Sequence, residues 1–139
     1  MARKATAIWN GNGKEGKGQL STESKALDSV YGAKARFEDG PGTNPEELLA
    51  AAHAGCFTMA TAFALEKAGY AADELHTDCA ISLKSEGEGF RITASALTMK
   101  AKIPGIGEDE FQKIAQAAKE GCPVSKLFDT EITLQATLG

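Results

Sequence analysis

NPEELLAAAHAGCFTMATAFALEKAG, residues 44–69, is the longest stretch of the chain with a single structural reading, and that reading decides the fold. Asn44 suits a helix N-cap, Pro45 fits the first helical position, and Glu46 and Glu47 stand where the helix dipole favours anions. From residue 48 to 65 the side chains are apolar or small almost all round, which predicts a long central helix buried on every side rather than laid on a surface. Gly69 supplies its C-terminal stop. His53 and Cys56 stand in the middle of this helix, one turn apart.

Outward toward the N-terminus, the chain reads as short strands broken by turns. Residues 4–9 alternate loosely, and the Asn-Gly steps of NGNGKEGKG (10–18) suit a hairpin that pairs residues 19–21 back onto them. YGAKARFED (31–39) is a third strand candidate, closed by the loop chemistry of GPGTNP (40–45). Outward toward the C-terminus, LHTDCAISLKS (75–85) and FRITASALTMKAKI (90–103) are strand candidates joined by EGEG, a meander signature. Residues 108–120 form an amphipathic helix with Phe111, Ile114, Ala115 and Ala118 on one face and three acids in the first turn. Gly121 ends it, CPVSKLF (122–128) begins with a proline-initiated turn, and TEITLQATL (130–138) alternates as a last strand. Strands grouped together with few helices predict an α+β fold: largely antiparallel sheets around the buried central helix, with one further amphipathic helix.

The length of 139 residues fits one domain, 1–139, that buries roughly two thirds of its unfolded surface. A formal charge of −4 and the lack of a basic stripe argue against a nucleic-acid partner. The first residues lack the apolar run of a signal peptide, and no stretch reads as a membrane span, so the expected location is cytoplasmic, with no membrane partner.

In that setting three cysteines are inert, metal-binding or redox-active rather than a structural disulfide framework. A cysteine on a buried helix is commonly just a small hydrophobe, and this bland reading fits Cys79 on its strand. The pairs His53-x-x-Cys56 and His76-x-x-Cys79 mimic zinc ligands, but residues three apart on a strand face opposite ways, so His76 and Cys79 do not converge. Thiol redox chemistry instead needs a nearby cation to favour the thiolate and a second thiol to resolve the oxidised sulfur. Arg36, read as a strand residue between Ala35 and Phe37, is the candidate cation. Cys122, ahead of Pro123 where backbone N–H groups are free, is the candidate second thiol.

GTNPEELLAAAHAGCF together with AKEGCPVSK resembles the OsmC/Ohr family of thiol-dependent peroxidases. GKGQLSTES and ARFEDGPGTNPEELLAAAHAGCF place the resemblance nearer the OsmC branch than the organic hydroperoxide resistance branch. The resemblance spans nearly the whole chain. It implies an intertwined homodimer and reduction of hydroperoxides by a cysteine pair, without haem, selenium or flavin, with an external dithiol as reductant. It assigns Cys56 as the peroxidatic thiol, Cys122 as the resolving thiol, Arg36 as the active-site arginine and Glu46 as the carboxylate that holds its fork bidentately. His53 and Cys79 receive no role. Phe57, Met59 and Phe63 suggest tolerance of organic as well as hydrogen peroxide. The rival reading is a non-enzymatic protein that holds a small hydrophobic ligand on the same scaffold. Glu46 and Cys56 are ten helical positions apart, about 15 Å along the axis and roughly 80° around it. If both serve one site, the simplest expectation is that Glu46, and Arg36 with it, come from the partner chain of a two-fold dimer.

Overall fold

The computed structural model describes residues 1–139, which form two compact units, Met1–Leu48 and Leu49–Gly139. In the first unit, β1 (Ala5–Asn10), β2 (Lys17–Thr22) and β3 (Asp28–Tyr31) form an antiparallel sheet in the order β1-β2-β3. Gly18 on the middle strand makes room for the rings of Trp9 and Tyr31, which meet edge to face with centroids 5.4 Å apart. A Cβ at Gly18 would come within 2.4 Å of the Tyr31 ring.

The third strand stops at Tyr31, and Ala33–Phe37 is a short helix, α1, so Arg36 lies on a helix and not within a strand as its alternating neighbours suggest. Ala33, Lys34, Ala35 and Arg36 are all good helix formers, and that preference overrides the loose alternation. The loop that follows depends on Gly42, at φ +89°, where a Cβ would sit 2.0 Å from the Val30 carbonyl oxygen. Its absence lets the Thr43 N–H donate to that carbonyl at 3.0 Å.

Helix α2 (Pro45–Lys67) begins as the sequence predicts: the Asn44 side-chain oxygen accepts the Glu47 N–H at 2.8 Å, and the Asn44 amide donates to the Ala35 carbonyl at 2.8 Å. Its end is a Schellman motif. Gly69 at φ +93° lets the Tyr70 N–H reach the Leu65 carbonyl and the Gly69 N–H reach that of Glu66.

In the second unit β4 (Glu74–Glu86) and β5 (Gly89–Lys102) form a long antiparallel hairpin, while β6 (Glu131–Leu138) lies parallel to β5. The first sheet is therefore wholly antiparallel and the second mixed, so the pairing is largely antiparallel as expected, with one parallel exception. A parallel partner needs a crossover, here α3 (Glu108–Gly121) followed by a second short helix, α4 (Pro123–Leu127). Phe57 and Leu65 from α2, Leu97, Met99 and Ala101 from β5, and Phe111 and Ala118 from α3 form the core.

Beyond the first turn, where Glu46 is buried, only one stripe of α2 is buried in the chain: His53, Phe57, Thr61 and Leu65 at four-residue spacing. Met59 and Phe63 are 63% and 64% exposed, so the expectation of a helix buried on every side is not met within one chain. Nor is the expectation that nothing reaches the length of a membrane span: by length and composition alone, the 23 residues of α2 do. The reason is that no charged residue interrupts 48–65 and its many alanines add up.

Candidate active site

Pro123 shapes the surroundings of Cys122. A residue before proline is pushed out of the helical region, so α3 ends there and Cys122 takes an extended conformation, φ −68° and ψ 141°. The same residue caps α4: its Sγ accepts the Ser125 N–H at 3.4 Å and lies 3.1 Å from the Ser125 hydroxyl. Cys122 is buried, whereas Cys56, on the flank of α2 next to the buried stripe, is partly accessible. Cys56 packs against the core cluster that contains Cys122, and the Cys122 thiol and the Val124 backbone N–H are the polar neighbours that act on its thiol. Both thiols are free.

Burial pushes the Cys56 thiol above its ordinary range; the Val124 N–H pulls it down, and the Cys122 thiol pushes it up again. Within the second unit, then, the surroundings of Cys56 work against its ionisation. A cation is what it lacks for thiolate chemistry.

In the first unit Arg36 Nε donates to Glu46 Oε1 at 2.6 Å, with Glu46 largely buried at the first turn of α2 and the guanidinium lying against the Phe37 ring. This is a one-oxygen contact, not the bidentate fork expected. Glu46 Oε2 is buried with no hydrogen-bond partner, and both terminal NH₂ groups of Arg36 stand outside the bond. The structure pairs Arg36 with Glu46, and Cys56 with Cys122, each within its own unit.

Sequence reasoning gave His53 no role and passed over Ser95 and Ser125. His53 is fully buried, with Nδ1 2.6 Å from the Ser95 hydroxyl on β5 and Nε2 2.7 Å from the Ser125 hydroxyl on α4. Ser95 Oγ is in turn 3.3 Å from the Cys79 sulfur. The only local signals were a histidine on the buried stripe of α2 and a serine three residues after the cap of α4. His76 is exposed and lies against Asp78, on the face of β4 opposite Cys79, so the two histidine-cysteine pairs build no four-ligand site.

Burial lowers the proton affinity of His53 below the ordinary histidine value of 6.5. The folded protein therefore binds fewer protons there than the unfolded chain. Stability from this group is fully present above about pH 6.5 and is lost as pH falls through the lowered value, by at most about 1.4 kcal/mol per pH unit. Urea unfolding at pH 7 and pH 5.5 should show a lower midpoint at pH 5.5, and His53→Gln should flatten this dependence. Equal pH dependence in the two proteins would mean that folding leaves His53 titration unchanged.

An α+β fold that holds two reduced thiols as neighbours, one on a central helix and one between two helices, fits the class of thiol-redox proteins. The comparisons narrow the class. The model of the OsmC-like protein family matches residues 38–137. The chain is 46% identical to peroxiredoxin OsmC of Escherichia coli over 137 residues, 98% of this chain and 96% of that one. It is 30% identical over 124 residues to the organic hydroperoxide resistance protein of Xanthomonas axonopodis pv. citri, covering 87% and 85% of the two chains. Among solved structures it is similar to an OsmC-like protein of unknown function from Vibrio cholerae, with a TM-score of 0.80 at 16% identity over 98% of this chain and 99% of that one, a likeness of fold alone. The chain belongs to the OsmC-like protein family.

Proposed function

We propose that this chain is a thiol-dependent hydroperoxide reductase in which Cys56 meets the peroxide and Cys122 resolves the product. The observation that carries this reading is the pair itself: two free thiols that neighbour each other at the core, the first partly accessible and the second buried. Similarity to a peroxiredoxin and to organic hydroperoxide resistance proteins supports the reaction class.

In the proposed cycle the Cys56 thiolate attacks one oxygen of the O–O bond. The other oxygen leaves as alcohol or water, and Cys56 becomes a sulfenic acid. Cys122 attacks that sulfur, water departs and a disulfide forms. An external dithiol then restores both thiols through a mixed disulfide. Arg36, held by Glu46, is the cation that offsets the burial of Cys56. Its free terminal NH₂ groups are donors suited to a thiolate or a peroxide oxygen. We further propose a two-fold homodimer that covers the exposed apolar face of α2. Met59 and Phe63 favour organic hydroperoxides; Phe57, expected to help, is buried in the core.

Treating the reduced protein with one equivalent of peroxide tests the reading. Two thiols per chain should disappear and peptide mapping should find a Cys56–Cys122 disulfide, with Cys79 free. A main product that contains Cys79, or thiols that survive peroxide, would sink it.

A further inference from the structure

The closure step leaves a proton to be moved, and the structure offers one route for it. Cys122 is 1% exposed, so its thiol has no ready access to solvent. The groups at hydrogen-bond distance from its sulfur are the Ser125 N–H and the Ser125 hydroxyl, and only the hydroxyl can accept a proton. That hydroxyl lies 2.7 Å from His53 Nε2. The row continues from Nδ1 through Ser95 Oγ to the Cys79 sulfur.

We propose that His53 acts, through Ser125, as the positioning residue and temporary proton acceptor for Cys122 when the disulfide closes, an inference that rests on the Cys56/Cys122 cycle proposed above.

Hydrogen-bond polarity makes the row work. Each serine hydroxyl donates once, so the His53 tautomer fixes the direction of the whole row. With the proton on Nδ1, that N–H donates to Ser95, Ser125 donates to Nε2, and the Ser125 oxygen is free to accept the Cys122 S–H. When Ser125 passes its proton to Nε2 and takes the one from Cys122, both ring N–H groups donate to serine oxygens. Ser125 O–H then donates to the Cys122 thiolate and Ser95 O–H to the Cys79 sulfur, so every N–H and O–H of the row has an acceptor. Cys79 gains a part here as the acceptor at the far end.

The thiolate attacks the Cys56 sulfenic sulfur; the S–S bond forms as the S–O bond breaks. The leaving hydroxide is protonated by the equivalent that His53 held, so Cys–SOH and Cys–SH yield a disulfide and one water with no net charge. The titratable groups near His53 that are not exposed are the three thiols, Cys79 on β4, Cys122 between α3 and α4, and Cys56 on α2, whereas His76 and Asp78 on β4, Arg91 and Lys100 on β5 and Lys126 on α4 are exposed. Ser95 and Ser125 supply hydroxyls and Phe128 an edge-on ring. The lowered proton affinity of His53 suits a base that must give its proton back.

The test separates the two steps in a single turnover, following Cys56 sulfenic acid by trapping and mass spectrometry, and the disulfide by non-reducing peptide mapping. His53→Gln can hold both serines but cannot carry a proton; Ser125→Ala cuts the row and leaves His53 in place. In each, the ratio of closure rate to oxidation rate at pH 7 should fall at least tenfold, with sulfenic acid accumulating. Closure should then rise about tenfold per pH unit, because hydroxide must take the proton, whereas the unsubstituted protein closes at a rate nearly independent of pH above the His53 transition. Closure at the unsubstituted rate and pH profile in His53→Gln, or in Ser125→Ala should His53→Gln fail to fold, would overturn the relay. If the unsubstituted protein forms no sulfenic acid at Cys56, the first step is missing, and the underlying reading falls with the relay.

Discussion

Cys56→Ser should show no peroxide consumption above background, while Cys122→Ser should consume one equivalent per chain and stop. The asymmetry follows from what each sulfur does in the proposed cycle. The first nucleophile must ionise near neutral pH and attack a weak O–O bond; a serine hydroxyl in the same place stays protonated and is far less nucleophilic. Removing the second thiol leaves the first reaction intact and strands Cys56 as a sulfenic acid. Both substitutions suit the fold. Serine is among the best helix caps, so Ser at position 122 can still accept the Ser125 N–H that Cys122 now accepts. At position 56 the exchange is nearly isosteric on a partly accessible flank. Peroxide consumption by stopped flow and the intact mass of the product decide the matter. Steady turnover by Cys122→Ser with an external dithiol would show that Cys122 is dispensable as the resolving thiol.

What the sequence revealed and what it hid divide along a physical line. Signals that act within a few residues were legible: Asn44-Pro45 starting α2, Gly69 closing it, and Pro123 ending α3 at Cys122, although the turn expected after it is the short helix α4. The stretch 31–39 failed because it carries two weak local preferences, a loose alternation and a run of helix formers, and the second prevailed. The parallel pairing of β6 with β5 was hidden because it depends on a crossover of nearly thirty residues, not on any feature of the strand. The His53 row was hidden more deeply. Its partners Ser95 and Ser125 lie 42 and 72 residues away, and a serine on a strand or in a turn carries no mark of the histidine it will meet. Cys56 and Cys122 stood out as candidates only because each sits in a recognisable local motif.

Mixing slow Arg36→Ala chains with inactive Cys56→Ser chains should restore peroxide reduction at the unsubstituted rate in part of the sites. Ten helical positions in the sequence separate Glu46 from Cys56, about 15 Å of helical rise, and the proposed homodimer answers that separation by taking the arginine and its carboxylate from the partner. Two features of the single chain point the same way. Met59 and Phe63 lie open on an apolar helix face that a second copy would cover, and the buried Glu46 Oε2 has no donor. Arg36→Ala by itself should slow the peroxide step at neutral pH about ten- to a thousandfold, the effect of losing an opposite charge worth roughly one to three pKa units, and should recover as pH rises. In a mixed dimer one site would combine an intact Cys56 with an intact Arg36, and the other would lack both. Equal mixing with random exchange would then regenerate about a quarter of all sites under two-fold symmetry. Mass spectrometry of the intact dimers measures exchange, and single-turnover peroxide reduction measures the sites. If mixed dimers form and activity stays at the sum of the two parents, each chain supplies its own arginine to its own cysteine, and the shared site is wrong.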